Sequence, residues 1–451
     1  MANPFRQNVA RFNEAVMAPA FHINTGRKIS GEEHEFWASD YGLKVDGSTD
    51  NTTAVQDTLD AAAAWATSKT TRYAEVRLPV RPEPYIIGGA LQTGTNYGNN
   101  QLALPVVDGD DRKLTLVVRG GLDAAAMPYW TQTVANRWGV TLASTVTGQS
   151  VSAAWGAPGV IGGPAISGTS ATYGASHSAN FNNVHVVMSG IGILVPAEPT
   201  VGGVNFRALA ECEISKCSVM ADATPTVLNA NKPPDNDWTF GFMGPDPFNN
   251  DLQLMYGLSC YGMYDAFVIG EHTWIDRAAA IYCRNGFNFL CVSENNHSVA
   301  GGALSCEASV NAVTTTGSDE YEFPIHVAAL SCETISGAHV YDPNNCLSGE
   351  LHLTALSGYT DIVVTGGDNL RVLAANQNRG PLSAPAVPAT TVALTNPFWL
   401  DCDILITGGT VTEVEIDGVA TGLTSGWFPL RSGGSIAVTY SSAPTWAWFG
   451  R

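Results

Sequence analysis

Two carboxylates with histidine and tryptophan beside them form the densest titratable stretch of the chain. Glu271 lies in Gly270-Glu-His-Thr-Trp-Ile-Asp276, and Glu294 lies in Ser293-Glu-Asn-Asn-His297. Hydrolysis of a glycosidic bond needs two carboxyl groups, one as acid and the other as base or nucleophile. Like charges close together also raise one of the two pKa values, as an acid requires. The candidate catalytic residues are therefore Glu271, Glu294 and Asp276.

Aromatic and polar side chains in the same stretch, and in a second one, could bind sugar without cleaving it. The second stretch is rich in proline and pairs two aspartates with tryptophan. The candidate glycan-binding residues are Asp235, Asp237, Trp238, His272, Trp274 and His297. Solvated turns between strands and an exposed loop also account for both sets. Catalysis, binding and a structural role therefore all stay open.

A repeat in the second half of the chain predicts the architecture that positions these residues. Leu-Ser-Cys occurs at 258–260, 304–306 and 330–332, and Ile281-Tyr-Cys283 falls between the first two. The cysteines therefore recur at positions 260, 283, 306 and 332. A period in the low twenties, with short apolar runs separated by Gly, Asn and Ser, predicts the coils of a right-handed parallel β-helix.

The cysteine spacing serves as a ruler for the candidate site. Glu271 follows Cys260 at the same spacing at which Glu294 follows Cys283, which predicts that the two glutamates lie on adjacent coils about 4.8 Å apart. Asp265, Asn288 and Asn311 each lie five positions after a cysteine and predict a stack of side chains that bonds to the turn backbone. The thiols themselves are predicted to fill the interior of the coil.

Composition and charge exclude several classes of protein. Charged residues make up 14% of the chain and hydrophobic residues 45%, which suits stacked β structure. The formal charge of −19 argues against nucleic acid and anionic membranes as partners. Nine cysteines without a CxxC pair indicate neither a disulfide framework nor a zinc site, and we expect no metal and no cofactor. The sequence lacks a signal-peptide core and an apolar run long enough to span a membrane, so we expect cytoplasmic synthesis and no membrane insertion.

A motif near the N-terminus carries a family resemblance. Asp40-Tyr-Gly, Asp46-Gly and Asp50-Asn-Thr precede a predicted helix, and Val76-x-Leu-Pro and Tyr85-x-Ile follow it. The apolar stripe of that helix consists of Val55, Leu59, Ala62 or Ala63, and Ala66. The motif resembles the N-terminal signature of the pectate-lyase-like β-helix superfamily, which includes polysaccharide lyases, glycoside hydrolases and many phage tailspikes. The resemblance implies that the helix caps the open end of the coil, and it includes no catalytic residue.

The C-terminal residues have a different rhythm. Short strands and an Asp417-Gly418 hairpin turn predict a small β-sandwich, with Trp427, Trp446 and Trp448 in its core. The runs 406–412 and 440–446 resemble the C-terminal module of tail fibre and minor tail proteins of phages that infect actinobacteria. In such proteins the module is typically a trimerisation or receptor-contact tip.

These features together predict an all-β chain: a right-handed parallel β-helix with a short N-terminal capping helix and a small C-terminal β-sandwich. The predicted boundaries are 1–37 for a virion-docking arm, 38–380 for the β-helix, 381–391 for a linker and 392–451 for the sandwich. The resemblances imply a homotrimer in a phage virion, attached through the arm to a tail or baseplate protein.

The function that follows is host adsorption through binding of cell-surface polysaccharide. One alternative is a tailspike depolymerase that cleaves glycosidic bonds. It would be a hydrolase rather than a lyase, because the repeat region offers few bases beyond Arg277 and Arg284. The other alternative is a purely structural virion fibre.

Overall fold

The chain is described in segments. The computed structural model describes residues 34–81, 83–90, 100–104, 114–120, 140–147, 158–163, 184–196, 201–206, 212–222, 239–244, 253–270, 272–291, 299–317, 321–357, 362–367, 369–374, 381–398 and 401–450. Most of the predicted docking arm, residues 1–33, lies outside these segments.

Helix α1 spans Thr52–Ser68 and follows a short 3-10 turn at Ala38–Tyr41; within these segments all other regular elements are strands. The first twelve are β1 (Glu35–Trp37), β2 (Tyr73–Leu78), β3 (Tyr85–Ile87), β4 (Leu102–Ala103), β5 (Leu114–Gly120), β6 (Val140–Ser144), β7 (Gly159–Gly162), β8 (Val184–Ser189), β9 (Ile191–Pro196), β10 (Gly202–Asn205), β11 (Glu213–Ser215) and β12 (Ser218–Asp222). The next fourteen are β13 (Phe240–Met243), β14 (Gln253–Tyr256), β15 (Ser259–Tyr261), β16 (Asp265–Ile269), β17 (Thr273–Asp276), β18 (Ala278–Ile281), β19 (Asn285–Cys291), β20 (Val299–Glu307), β21 (Asn311–Gly317), β22 (Phe323–Glu333), β23 (Val340–Asp342), β24 (Leu347–Ser357), β25 (Val364–Gly366) and β26 (Asn369–Ala374). The last eight are β27 (Pro381–Leu382), β28 (Leu394–Thr395), β29 (Cys402–Thr407), β30 (Thr410–Ile416), β31 (Val419–Ala420), β32 (Gly426–Leu430), β33 (Ser435–Ser442) and β34 (Thr445–Gly450).

Strands β1 to β26 form three parallel rows around one apolar core. The first row runs β1, β2, β5, β8, β11, β14, β17, and the second runs β3, β6, β9, β12, β15, β18. The third row runs β4, β7, β10, β13, β16, β19, β21, β23, β25. The chain visits the rows in turn, so each strand pairs with the strand one coil away. This is a parallel β-helix, and the predicted fold class is confirmed.

The first two rows meet at a sharp corner that later disappears. Gly190, Lys216, Gly257 and Arg277 occupy the corner in successive coils, all with left-handed φ between 51° and 68°. The N–H of each of the first three donates to a carbonyl of the next coil. The long strand β20 has no such corner and pairs with both β17 and β18. The two rows therefore merge into one, which continues through β22, β24 and β26.

Helix α1 packs against the first coils, as predicted. Val55, Leu59 and Ala66 of its apolar stripe are buried and the helix contacts β1, β2, β4 and β5. Asp50 Oδ1 accepts the N–H of Thr52 at 3.0 Å and that of Gly88 at 2.9 Å, which ties the start of the helix to the end of β3. Strand β1 falls within the predicted arm but pairs in parallel with β2, so the first row begins at β1.

The cysteine ruler does not measure the coils. Cys260 pairs with Ala280, and Ala280 pairs with Cys306. The coil from Cys260 to Ala280 therefore contains fewer residues than the coil from Ala280 to Cys306. Cys306 and Cys332 are true partners in the register, whereas Cys283 lies beyond the end of β18. Both a thiol and a methyl group fill the interior, so the residue type does not mark the coil position. The predicted burial of the repeat cysteines Cys260, Cys283, Cys306 and Cys332 is confirmed, and the other five cysteines are buried as well.

The prediction that Glu271 and Glu294 lie on adjacent coils rested on the cysteine spacing, and it loses that basis. A constant step between successive coils is wrong, because the coil length varies with the turns between rows. Both glutamates lie outside the described residues.

Side-chain amides form a ladder in the third row. Asn285 Nδ2 donates to Asp265 Oδ1 at 2.8 Å, and Asn311 Nδ2 donates to Asn285 Oδ1 at 2.9 Å. Asn311 Oδ1 accepts the backbone N–H of Ala338 at 3.1 Å. Asn285, and not the predicted Asn288, therefore stands between Asp265 and Asn311. Asn288 Nδ2 instead donates to the other oxygen of Asp265 at 3.0 Å.

A carboxylate can only accept hydrogen bonds, so Asp265 ends the ladder with two amide donors aimed at it. Its side chain is buried. Burial raises the pKa of Asp265 to about 6, although the two amide hydrogen bonds oppose the rise.

Asp265→Asn should change how the free energy of unfolding depends on pH. The folded chain binds the Asp265 proton more tightly than the unfolded chain, whose carboxyl titrates near 3.8. The wild type therefore loses stability as pH rises through the interval between these two values, by up to about 3 kcal/mol at about 1.4 kcal/mol per pH unit. The asparagine variant should lack this loss. Urea unfolding at about pH 4 and about pH 7 measures the difference, and parallel pH profiles would contradict it.

Strands β27 to β34 form two four-stranded antiparallel sheets with their own core. The predicted antiparallel fold of this segment is confirmed. Trp446 and Trp448 are 7% and 0% exposed, as predicted for core residues. The prediction is wrong for Trp427, which is 56% exposed and packs its ring against Phe449. Strand alternation directs its neighbour Phe428 inward instead.

The predicted linker, residues 381–391, contacts the sandwich. Strand β27 pairs with β34. The carbonyl of Pro385 accepts Trp446 Nε1–H at 2.8 Å, and that of Pro388 accepts the Tyr440 hydroxyl at 2.6 Å. A proline has no N–H but keeps its carbonyl as an acceptor, and side-chain donors of the sandwich use that acceptor here. This segment is therefore part of the C-terminal sheets and does not act as a free spacer.

Candidate functional site

One line of side chains follows the outer face of the first row and its merged continuation. Successive parallel strands place aligned residues about 4.8 Å apart. In order, the aligned residues are Glu35, Glu75, Val117, Val187, Glu213, Leu254, Trp274, Ala300, His326, Glu350 and Arg371. We call this line the outer column. Glu75 and Val117 are buried, whereas Trp274, His326 and Arg371 are exposed. We call the part of the column from Leu254 to Arg371 its open half.

Trp274 is the most prominent side chain of the open half. Strand β17 alternates Thr273 and Ile275 inward with Trp274 outward, and the indole is 50% exposed. Tyr256 lies in the preceding strand of the same face, with the Arg277 guanidinium 5.4 Å from its ring centroid. The predicted glycan-binding residue Trp274 is thus held by a buried strand with its ring available to a ligand.

Asp276, predicted as catalytic, holds the backbone of the next coil. Its Oδ1 accepts the N–H of Ala303 at 2.8 Å. The residue beside it, Gly302, has no room for a side chain, because a Cβ there would lie 2.1 Å from the same oxygen. This contact anchors β20 where the two rows merge.

The other predicted site residues are placed only in part. His272 precedes β17 with a left-handed φ of 49°, and its carbonyl accepts the N–H of Gln253 at 3.1 Å. The remaining ones lie outside the described residues: Asp235, Asp237, Trp238, Glu271, Glu294 and His297.

Four polar residues that the sequence analysis did not single out meet at the C-terminal end of the outer column. His352 Nε2 hydrogen-bonds Glu350 Oε1, and Arg371 Nη1 lies 3.5 Å from Glu350 Oε2. The rings of His326 and His352 are edge to face, with centroids 6.3 Å apart. We call these four residues the Glu350 cluster. All four reach solvent, and 57% of the Arg371 side chain is accessible.

The electrostatics of the Glu350 cluster favour an ionised carboxylate. The hydrogen bond from His352 is the largest cause that lowers the pKa of Glu350, and the charges of His352, Arg371 and His326 act in the same direction. The carboxylate therefore orients the His352 ring through Nε2. The Nδ1 atom, on the other side of the ring, is left for a different partner.

Strand alternation is the signal that could have found this cluster. In Ile325-His-Val and in Glu350-Leu-His-Leu353, polar residues alternate with buried residues. The register then aligns His326 with Glu350 and Glu350 with Arg371 at unequal steps, which a fixed ruler misses.

A second ionic group lies at the buried end of the outer column. Glu75 Oε1 lies 2.5 Å from Arg77 Nε and 3.5 Å from Arg119 Nε, and the Tyr73 hydroxyl donates to Oε2 at 3.2 Å. The Glu75 side chain is fully buried, whereas the two arginines are about one-fifth exposed. Burial, and then the Glu75 charge, raise the pKa of Tyr73. This group joins β2 to β5 and is better suited to holding coils together than to meeting a ligand.

Two further observations concern the described part of the chain. Within it, no three His, Cys, Asp or Glu residues are placed to share a metal ion. None of its helices has the length and apolarity to cross a bilayer.

The chain matches no protein-family model, and no curated protein matches its sequence. Its fold is similar to several solved structures. These include an exopolygalacturonase from Thermotoga maritima (TM-score 0.35, 10% identity, 78% of this chain and 94% of that chain). They also include WceF of Pantoea stewartii, a glycan biofilm modifying enzyme with a tailspike-like parallel β-helix fold (TM-score 0.33, 12% identity, 92% of this chain and 63% of that chain). A third is the Dettilon tailspike protein (TM-score 0.30, 11% identity, 92% of this chain and 94% of that chain).

Proposed function

We propose that this chain is a phage tailspike-type protein that adsorbs to host-cell polysaccharide through the open half of its outer column. The observation that carries the proposal is the half-exposed indole of Trp274 on a rigid strand. Tryptophan offers a large apolar face together with a polar edge, which suits a sugar ring. Ligand sites are commonly lined by aromatic side chains with a few polar groups that fix the orientation of the ligand.

The length of the open half suits an extended glycan. Trp274 and Glu350 are three strands apart, which corresponds to about 14 Å. Stacking at Trp274 and hydrogen bonding at the Glu350 cluster would therefore contact different sugars of one chain. A polymer that lies along the axis of the β-helix satisfies both contacts.

Glycoside hydrolysis fits this face less well than binding does. The carboxylates of Asp276 and Glu350 are also three strands apart, about 14 Å. Paired catalytic carboxyls lie about 5 to 10 Å apart. A hydrolytic role for Glu271, Glu294 and Asp276 remains the alternative proposal, together with glycan contacts from Asp235, Asp237, Trp238, His272 and His297.

The assembly belongs to the same proposal. We infer a homotrimer carried on the virion, with the N-terminal arm bound to a tail or baseplate protein. The N-terminal and C-terminal sequence resemblances support it. The formal charge of −19 supports a partner other than nucleic acid or a membrane surface.

Binding of the full-length protein to isolated host-cell polysaccharide tests the proposal. We expect saturable binding, and we expect Trp427→Ala to leave the Kd within about twofold, because this exposed tryptophan belongs to the C-terminal sheets. Calorimetry measures both. A purely structural fibre would not bind at all, and loss of binding in Trp427→Ala would move the contact to the C-terminal module.

A further inference from the structure

We propose that the Glu350 cluster is a catalytic site that cleaves phosphodiester-linked glycan by general acid–base transesterification. The inference rests on the proposed function, since the outer column must hold the glycan chain. It adds a reaction and a substrate class: a polymer whose sugars or polyols are joined through phosphodiesters, with a hydroxyl next to the ester oxygen.

The reaction needs a base, an acid and a cation, and it balances without a cofactor. The base removes the proton of the neighbouring hydroxyl, whose oxygen attacks phosphorus. The bond between phosphorus and the leaving oxygen breaks, and the acid protonates that oxygen. The products are a cyclic phosphodiester and a free hydroxyl, and water can later open the ring.

The cluster supplies each of these groups. Glu350 accepts the Nε2–H of His352, which orients the ring and stabilises its protonated form after Nδ1 takes the proton. His326 lies on the adjacent strand with its ring edge to face with that of His352 and the centroids 6.3 Å apart, so a phosphoryl group bound over the solvent side of the pair can reach both imidazoles. Arg371 keeps most of its five donors for phosphate oxygens, because one of them already faces Glu350.

The charge of the cluster matches one phosphodiester. With one histidine neutral and one protonated, as the reaction requires, Arg371 and Glu350 cancel and a single positive charge remains. The formal charge of −19 over the whole chain disfavours densely charged polymers such as nucleic acids. A glycan with neutral sugars between its phosphodiesters therefore fits better than RNA.

Other reactions fit these residues less well. Hydrolysis of a glycosidic bond would need a second carboxyl nearby, and in the described part of this face Asp276 is three strands from Glu350. Elimination at a uronate would ask imidazole to remove a carbon-bound proton, for which it is a weak base. Transfer of an oxygen-bound proton suits a histidine pair.

A small substrate and a polymer separate the roles of the two histidines. The small probe is hydroxypropyl p-nitrophenyl phosphate, whose hydroxyl is vicinal to the ester oxygen, and its control is the propyl ester that lacks the hydroxyl. The polymer is a glycan in which neutral sugars alternate with glycerol phosphate and the glycerol hydroxyl next to the ester oxygen is free. Full-length wild type should release p-nitrophenolate from the hydroxyl ester only, and phosphorus NMR should show a cyclic phosphodiester.

Variants then assign the acid and the base. His352→Gln should lower kcat/KM at least about 100-fold on both substrates, because the base is needed in each. His326→Gln should lower it about 100-fold on the polymer but less than about tenfold on the nitrophenyl ester, whose leaving group needs no proton. Arg371→Gln changes an exposed side chain and should lower activity about 100-fold, with thermal unfolding of the variant as the check on its fold. Glu333→Gln, on the same strand as His326 but outside the cluster, should leave activity unchanged.

Several results would overturn the proposal. They are no cleavage of either substrate by the wild type, equal cleavage of the propyl ester, and full activity in His352→Gln. Binding to host polysaccharide is measured separately on the same variants. If the wild type binds the polysaccharide but does not cleave either substrate, only the catalytic proposal is contradicted. If the wild type does not bind the polysaccharide, the proposed function itself is contradicted.

Discussion

Trp274→Ala should weaken the binding of host polysaccharide by about 30- to 100-fold, or about 2 to 3 kcal/mol. The indole is 50% exposed and stands on a strand whose inward neighbours are buried. Truncation therefore removes a stacking surface without opening a cavity in the core. The loss should appear mainly as faster dissociation, which surface plasmon resonance measures.

Two comparisons sharpen this prediction. Trp274→Phe keeps a flat ring and should retain binding within about fivefold. Thermal unfolding of the alanine variant should match the wild type, since an exposed side chain has been removed. If Trp274→Ala binds as tightly as the wild type, the glycan does not contact this strand, and the open half of the outer column is the wrong face.

Glu75→Gln should lower the free energy of unfolding by about 3 kcal/mol. Glu75 is fully buried between Arg77 and Arg119. Its neutralisation would leave two guanidinium groups facing each other in a site with little water. Tyr73 would keep a hydrogen bond to the amide oxygen, so the loss reports the charge and not the packing. Urea unfolding gives the difference.

Glu35→Gln is the matched control, because Glu35 lies in the same outer column and pairs with the same Arg77. Its side chain is 42% exposed and its contact is 3.6 Å long, so its loss should cost less than about 1 kcal/mol. Equal effects of the two variants would mean that solvent screens Glu75 as well, and would contradict the burial argument.

The helix and the two kinds of β structure could be predicted because capping motifs, strand alternation and turn residues each lie within a short stretch of sequence. The Asp40-Tyr-Gly to Gln56 motif marked the capping helix, and the buried faces of Val55, Leu59 and Ala66 confirm the stripe. Alternation and turn residues indicated strands and a change of rhythm near the C-terminus, where the antiparallel sheets begin.

The register could not be predicted, since it depends on turn lengths that side-chain patterns do not report. Leu304-Ser-Cys306 and Leu330-Ser-Cys332 align in the structure, but the earlier Leu258-Ser-Cys260 reaches them through Ala280. The spacing of the cysteines misses this coil, because an alanine takes the place of the thiol and fills the same interior position.

The candidate site could be predicted only in part, because most of it depends on the register between coils. Trp274 stands out in the sequence because tryptophan in a polar stretch is unusual, and the structure places it on an open face. His326, Glu350 and Arg371 come together only when the unequal steps between their coils are known. The Glu350 cluster is therefore a product of the register and has no motif of its own.

The stacking of coils has a mechanical consequence for the binding face. Each described coil pairs its strands with those of the coils before and after it, so stability propagates as in a one-dimensional Ising chain and unfolding begins by fraying at an end. Among the described strands, β26 with Arg371 has a single partner, whereas β17 with Trp274 lies inside the stack. Hydrogen exchange should therefore be faster at β26 than at β17. A glycan that bridges the two acts as a clamp, because it couples coils that have no bond to each other.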